Sequence, residues 1–492
     1  MIHNKRKIRW DFITYGFIVL LAIALRFARY NERFALAYDQ ARDAIIAQEV
    51  LHGKPMPSVG PFSSAGNFTT GPTWYWFVVA ATAVYPKAIL TPWVVLTSLY
   101  VGEVVLLMAT GSVIGGTALA VILGLFAAVS PAQIDQGLNL TNPSLVSIFA
   151  TIAVWAGITY LKSGSIKKLI LLGLSIGLAF TTHYQAALLG VFALTIFILR
   201  RPKWTHILLF IVISVLPIIP LVRFDMLYQF YNYRGIVDYL KFGQYKVYIP
   251  NRWLTYLGVF IPHLWNIIIG ANAPVTFLII GCIVLSCVLA WYTKEYTLYS
   301  VGMLISLALI IGVLRFYRGE RFESYFVFLH PFILTVSAWG IWIIFKKQKI
   351  LGSVLIAAVV VSCLWIVIPS ILGAKNWTAW RAERWVFALT TKYPNEKFDV
   401  YQYKTQGDTQ SLALVLYLDH LQKISPTGHK IGFGSLPNYV RDLYEVIPSD
   451  GGFGLVDLNS TSVTGRSQYH WEHINPDNIY RYVAEWYLNP QP

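Results

Sequence analysis

"KSGSIKKLILLGLSIGLAFTTHYQAALLGVFALTIFILRRPK" occupies residues 162–203, and the way it crosses a membrane decides the rest of the chain. Basic clusters close both ends, with about 30 mostly apolar residues between them. As one helix that stretch would run roughly 45 Å, well beyond a hydrocarbon core of ~30 Å. "TTHYQ" (181–185) interrupts it in the middle. Two short helices with His183 near the turn therefore fit better, and both basic ends then share one side. Helices of about 15 residues reach only ~23 Å, so the turn is expected below the membrane surface, in a cavity. An ionisable residue at that depth is a candidate for function. The plainer reading of His183 is a hydrogen-bonded packing residue.

Composition agrees with a membrane protein. Of 492 residues, 56% are hydrophobic and 13% charged, with mean hydropathy +0.54. Apolar runs recur from residue 12 to 372, which predicts a polytopic α-helical fold. The net charge of +15 lies largely in short basic loops, so it points to orientation and anionic lipid, not to nucleic acid. Lys5, Arg6, Lys7 and Arg9 precede the first apolar segment. That segment is too long, and lacks the small-residue exit, to be a cleaved signal peptide. It reads as a retained anchor with a cytoplasmic N-terminus, in the plasma (cytoplasmic) membrane. The three cysteines all fall in apolar segments and form no disulfide framework.

Placing every basic cluster inside gives eleven spans: 12–30, 90–110, 113–130, 143–161, 167–182, 184–199, 205–222, 275–292, 297–314, 325–345 and 350–371. The leftover apolar segments, 71–86 and 253–270, are expected to be juxtamembrane or re-entrant helices in outer loops. Residues 1–372 form the transmembrane unit. Residues 373–492 change composition and read as a small extracytoplasmic α/β domain, with "KFDVYQY" and "KIGFGS" as strands and "SLALVLYLDHLQ" as a helix.

On this topology the unusual polar residues gather at the outer side. They are Asp39, Arg42 and Asp43 in "YDQARD", Asn142, His183, and cations that include Arg223, Arg234, Lys241, Arg252, Arg315, Arg318 and Arg321. Outer positive charge runs against the orientation rule, and a phosphate-bearing substrate would account for it, because arginine matches phosphate oxygens with a bidentate fork. The competing reading is carboxylate pairing or a solvated face. Asp39, Arg42 and Asp43 share one helical face at i, i+3 and i+4, which is equally an ordinary ion-pair stripe. Trp74, Tyr75, Trp76 and Trp93 read first as an interfacial aromatic belt, and otherwise as platforms for sugar rings. Phosphate-loop, zinc, dinucleotide and nucleophile-elbow motifs are absent from the sequence.

The order of these features resembles the GT-C fold membrane glycosyltransferases of the family 39 type, which include protein O-mannosyltransferases and lipid A aminoarabinose transferases. "YDQARDAIIAQEVLHGK" is similar to the family's acidic stretch after the first span, with Asp39, Arg42 and Glu49 at matching positions. "GPTWYW", "SPAQIDQGLNLTNPSL", "GLSIGLAFTTHYQA" and "RFESYFVFLHPFILTVSAWGI" follow in family order. The match spans roughly residues 8–345. Gln40 replaces a second acid, His183 falls near a usual lysine, and Asn142 stands near a usual aspartate. Residues 373–492 lie outside this resemblance.

The resemblance implies an inverting transfer of a sugar from a polyprenyl-phosphate donor, on the outer face, to a hydroxyl or amine of a protein, lipid or glycan. Asp39 is then the general base. Arg42, His183, Arg234, Arg318, Arg321 and Tyr325 are expected to bind the donor phosphate. Gln40, Asp43, Asn142, Trp74, Tyr75, Tyr184 and His263 are expected to line the substrate. The donor is the only cofactor-like group implied, no metal ligands are assigned, and a divalent metal is left open. Other classes consistent with a cationic polytopic chain are a lipid-linked sugar flippase and a glycan polymerase or ligase. Against the flippase stand the missing inverted repeats and the concentration of charge at one face.

Overall fold

The computed structural model describes residues 2–245, 252–319, 321–403, 409–436, 442–448, 454–460 and 471–488. Among them, all eleven segments expected to span are helical. They begin with α1 (Ile2–Phe27), followed by the non-spanning α2 (Tyr38–Leu51) and α3 (Thr73–Val84). Next come α4 (Thr91–Val129), α5 (Pro131–Leu138), α6 (Asn142–Ser163), α7 (Ile166–Thr182) and α8 (Leu189–Arg200). Apolar helices continue at Trp204–Leu227, Ala273–Thr293, Leu298–Leu314, Glu323–Lys347 and Lys349–Gly373. The chain is a multi-pass integral membrane protein.

Two features of α4 show it to be two helices joined at a sharp reversal. As a straight rod its 39 residues would run about 58 Å. Gly116, however, has φ 76° and ψ −166°, a conformation open essentially to glycine alone. A Cβ on Gly111 would lie 2.9 Å from Ala120 Cα, so the chain has reversed and the two halves pack side by side. The 162–203 stretch is likewise a hairpin. Arg200 Nη1 donates to Leu161 O at 3.4 Å, which returns the end of α8 to the last turn of α6, next to the start of α7. Lys346 and Lys347 both bond Glu295 on this basic face.

At the opposite face, arginines close helix ends. Arg26, fully buried, donates to Ala127 O and Ala128 O at 3.1 Å, the last carbonyls of α4. Arg33 Nη1 caps Leu25 O at 2.7 Å, and Arg29 Nη2 donates to Ala374 O at 3.1 Å. These carbonyls have no intrahelical partner and carry the negative end of the helix dipole, so a guanidinium satisfies both demands. Trp253–Gly270 is long and apolar enough to cross a membrane. Its start nevertheless packs where Tyr256 Oη donates to Ile311 O, and its end where Ser130 Oγ donates to Ile268 O. Both contacts lie toward the α5 face.

The C-terminal unit opens with the helix Trp377–Lys392. Its five-stranded sheet consists of β1 (Phe398–Tyr403), β2 (His429–Gly434), β3 (Glu445–Val446), β4 (Gly454–Asp457) and β5 (Trp471–Ile474), in the order β3-β4-β2-β1-β5. Among the described strands only β1 and β2 pair in parallel, joined through the helix Thr409–His420. That crossover helix is buried on almost every side from Ser411 to Asp419. One apolar core runs from Phe433 and Trp385 through Leu414 to Ile45 and Trp74, so the unit is docked on α2.

Candidate active site

The first turn of α2 carries Asp39, and an acid there complements the helix dipole. Its carboxylate is 60% exposed and accepts from Arg42 Nη1 at 2.9 Å. Arg42 Nε in turn meets Asp43 Oδ1 at 2.8 Å. Asp43 is 1% exposed and is held further by Trp74 Nε1, which donates to Oδ2 at 2.7 Å, and by a longer 3.4 Å contact from Tyr75 Oη. Burial pushes the Asp43 carboxyl up, and Arg42 and Trp74 pull it back without cancelling the rise. Burial opposes the Arg42 charge, but the two carboxylates outweigh it and raise its pKa. The outcome is one accessible carboxylate on a rigid, paired base.

Trp74, Tyr75 and Asp43, expected to line the substrate, are therefore buried supports behind Asp39. Trp93 is fully buried too, donating from Nε1 to Ala35 O at 2.8 Å. These rings do not form a lipid-facing belt, because each indole N–H needs a partner that the α2 region supplies. Gln40 is also buried. Its Oε1 accepts from Ala37 N at 2.9 Å, and its Nε2 donates to Asn139 Oδ1 at 2.6 Å. It secures the start of α2 and does not present a second acid.

α3 connects this unit to the His183 turn. Gly71 N donates to Thr181 O at 2.7 Å, and a Cβ on Gly71 would lie 2.6 Å from Thr181 Cβ, so only glycine permits the approach. Thr73 and Thr181 share a hydroxyl bond of 2.6 Å. Asn142 Nδ2 donates to Thr182 O at 3.1 Å, taking a structural place beside the turn. His183 ends α7 and packs on Tyr325, with ring centroids 4.9 Å apart. Tyr325 Oη bonds Ser64 Oγ at 2.8 Å, and Tyr184 Oη donates to Thr69 O at 2.6 Å.

The expected cations divide. Arg318 is exposed with its guanidinium over Tyr245, 4.9 Å from the centroid. Arg321 lies over Tyr256 and Phe260 and donates to Tyr317 O at 3.3 Å. Arg315 is buried against Trp253. All three guanidinium groups lie over aromatic faces. Arg234 is exposed, on the helix Tyr231–Lys241, away from the Asp39 cluster's contacts. His263 is turned to Glu323 at 2.6 Å. The side chain of Arg252 lies outside the described residues.

Several site residues were not singled out from the sequence. Tyr317 meets Tyr239 Oη at 3.0 Å and Gln185 Nε2 at 3.5 Å, extending the His183–Tyr325 cluster. A cavity of about 270 Å³ is lined by Asp135, Gln136, Asn266 and His330 among others. A tyrosine carries no charge out of place and so gives no signal in an aromatic-rich chain. Asp135 stood inside a quoted loop without any further mark.

Residues 70–223 match the family described as dolichyl-phosphate-mannose-protein mannosyltransferase. That segment holds α3, Asn142 and the His183 turn, whereas α2 precedes it. No curated protein matches the sequence. The fold is similar to that of ArnT from Cupriavidus metallidurans bound to undecaprenyl phosphate, with a TM-score of 0.64 at 12% identity, over 92% of this chain and 99% of that one. The apo form of ArnT gives 0.59 at the same identity, over 92% and 98%. It is similar also to the archaeal oligosaccharyltransferase AglB from Archaeoglobus fulgidus in complex with an inhibitory peptide and a dolichol-phosphate, with a TM-score of 0.53 at 10% identity, over 98% and 78%. The chain thus has the fold of ArnT and AglB, and its residues 70–223 match the family described as dolichyl-phosphate-mannose-protein mannosyltransferase.

Proposed function

We propose that this membrane protein is a glycosyltransferase, moving a sugar from a polyprenyl-phosphate carrier to a hydroxyl or amine of a glycan, lipid or protein, at the outer face of the plasma membrane. The observation that carries the reading is Asp39: a carboxylate 60% exposed, fixed by Arg42, which is itself anchored to a buried acid. The family match over residues 70–223 and the lipid phosphates bound by ArnT and AglB support the donor class. The excess of basic residues at the loops opposite α2 supports the orientation.

In this reaction the acceptor oxygen or nitrogen attacks the anomeric carbon and gives its proton to Asp39. The bond from that carbon to the phosphate oxygen breaks on the opposite side, so the configuration inverts. The leaving group departs as a polyprenyl phosphate monoester. Its charge is met by donors of the second cluster, Tyr325 and His183, with Arg318 and Arg321 at its margin. A positioned base contributes about 10²–10⁴-fold.

Purified Asp39→Asn and Asp39→Ala variants, assayed with a panel of prenyl-phosphate sugars, test the assignment. Both are expected to lose at least ~10² in transfer rate while retaining the wild-type thermal transition. Near wild-type transfer by both would remove Asp39 from the role. Mass analysis of the products separates transfer from lipid flipping, since only transfer forms a new glycosidic bond.

A further inference from the structure

The far end of α2 carries a second group of ionisable residues, independent of the Asp39 reaction. Glu49 and His52 stand one turn apart, with Oε1 and Nδ1 separated by 3.9 Å. Asp419, in the last turn of Thr409–His420, faces them from the C-terminal unit. One ligand atom from each residue lies within 4.8 Å of the others. Asp419 is 8% exposed, and its Oδ2 is buried without a hydrogen-bond partner. A buried carboxylate oxygen in that condition is costly unless something meets it.

Among the described residues no lysine or arginine reaches ion-pair distance of Glu49 or Asp419, and nearby Lys54 is bonded to Asp477 at 2.5 Å. Burial pushes the Asp419 carboxyl up to about 6 and the Glu49 carboxyl upward, with Asp419 adding to the rise at Glu49. The imidazole, at 51% exposure, keeps one side of the group open to solvent, which gives an entry path and room for a water ligand.

We infer that Glu49, His52 and Asp419 form a divalent-cation site that ties α2 to the C-terminal unit. One imidazole nitrogen and two carboxylates suit zinc or a similar first-row ion, with water completing the shell. Ligand bonds of ~2.0–2.2 Å require the three side chains to close by roughly an ångström, a rotamer adjustment at the two longer side chains. The site acts on position. α2 carries Asp39, Arg42 and Asp43 at its start, and a cation at its end fixes that helix against the domain on which it is docked.

The test uses the full-length purified protein, stripped by chelator and titrated with zinc chloride by calorimetry. Wild type is expected to bind one ion per chain and to show a higher thermal transition when loaded. Asp419→Asn and His52→Gln should each weaken that binding at least ~10-fold and lose the thermal response. His52 is half-exposed, so its variant keeps the test open if Asp419→Asn fails to fold. Absence of stoichiometric zinc binding, or binding unchanged in His52→Gln, overturns the site. Because transfer by Asp39 is scored separately, failure here is distinguishable from failure of the proposed reaction.

Discussion

Trp74 donates its indole N–H to Asp43 Oδ2 at 2.7 Å, joining α3 to α2 at a carboxylate fully removed from solvent. A buried carboxylate with a missing partner is expensive, and hydrogen bonds to charged groups are worth about 1.5–3 kcal/mol. Trp74→Phe keeps an aromatic ring and deletes the donor. It is expected to lower stability by about 1.5–3 kcal/mol and to reduce kcat several-fold, with little change in the KM for donor, because Arg42 and Asp39 lose their anchor. Denaturation in detergent together with initial rates will show it. An unchanged kcat would mean that the Asp43 anchor does not position Asp39.

Gln40 satisfies the Ala37 backbone N–H and Asn139 Oδ1 at once. Removing it takes this partner from the Ala37 N–H and from Asn139 Oδ1, both in a part-buried setting. Gln40→Ala is expected to cost roughly 1–3 kcal/mol and to loosen the first turn of α2. Hydrogen exchange at residues 38–42 should accelerate in the variant. Equal exchange rates would show that the cap is dispensable.

Gly116 tests the hairpin in α4. A Cβ there would meet no atom within 4 Å, so any penalty comes from the backbone conformation alone. Gly116→Ala is expected to cost on the order of 1–3 kcal/mol, read as a lower thermal transition. Gly111→Ala, whose Cβ would press on the Ala120 backbone at 2.9 Å, should be at least as harmful. If both variants melt as wild type, the two halves of α4 are not packed in this way.

Asp457 gives the C-terminal unit an acid-sensitive joint. Burial alone would raise its carboxyl, but Tyr393 Oη at 2.7 Å, Asn459 N at 2.8 Å and the nearby His429 ring outweigh this and hold it below the usual value. A depressed carboxyl adds stability above its unfolded pKa of about 4 and loses it as pH falls through the lower folded value. The thermal transition of wild type should therefore fall below pH about 4, and more steeply than that of Asp457→Asn. Parallel pH curves for the two proteins would refute the assignment.

Sequence alone determined the helices and their approximate ends, because a lipid core demands long apolar segments whose backbone is satisfied internally, and basic clusters mark one set of loops. The paired basic ends of residues 162–203 required a hairpin, and Arg200 against Leu161 is its signature in space. The ion-pair stripe of Asp39, Arg42 and Asp43 was legible from its i, i+3 and i+4 spacing. Tertiary structure alone decided which neighbours are supports: Trp74 and Tyr75 look like interfacial aromatics in sequence, yet they are buried at Asp43. It also decided that Arg26, Arg29 and Arg33 close helix ends, and that Asp419 faces Glu49 across hundreds of residues. Hydropathy and charge act along the chain and can be read there. Hydrogen-bond partners of a buried group depend on which helices pack together, and no local pattern records that choice.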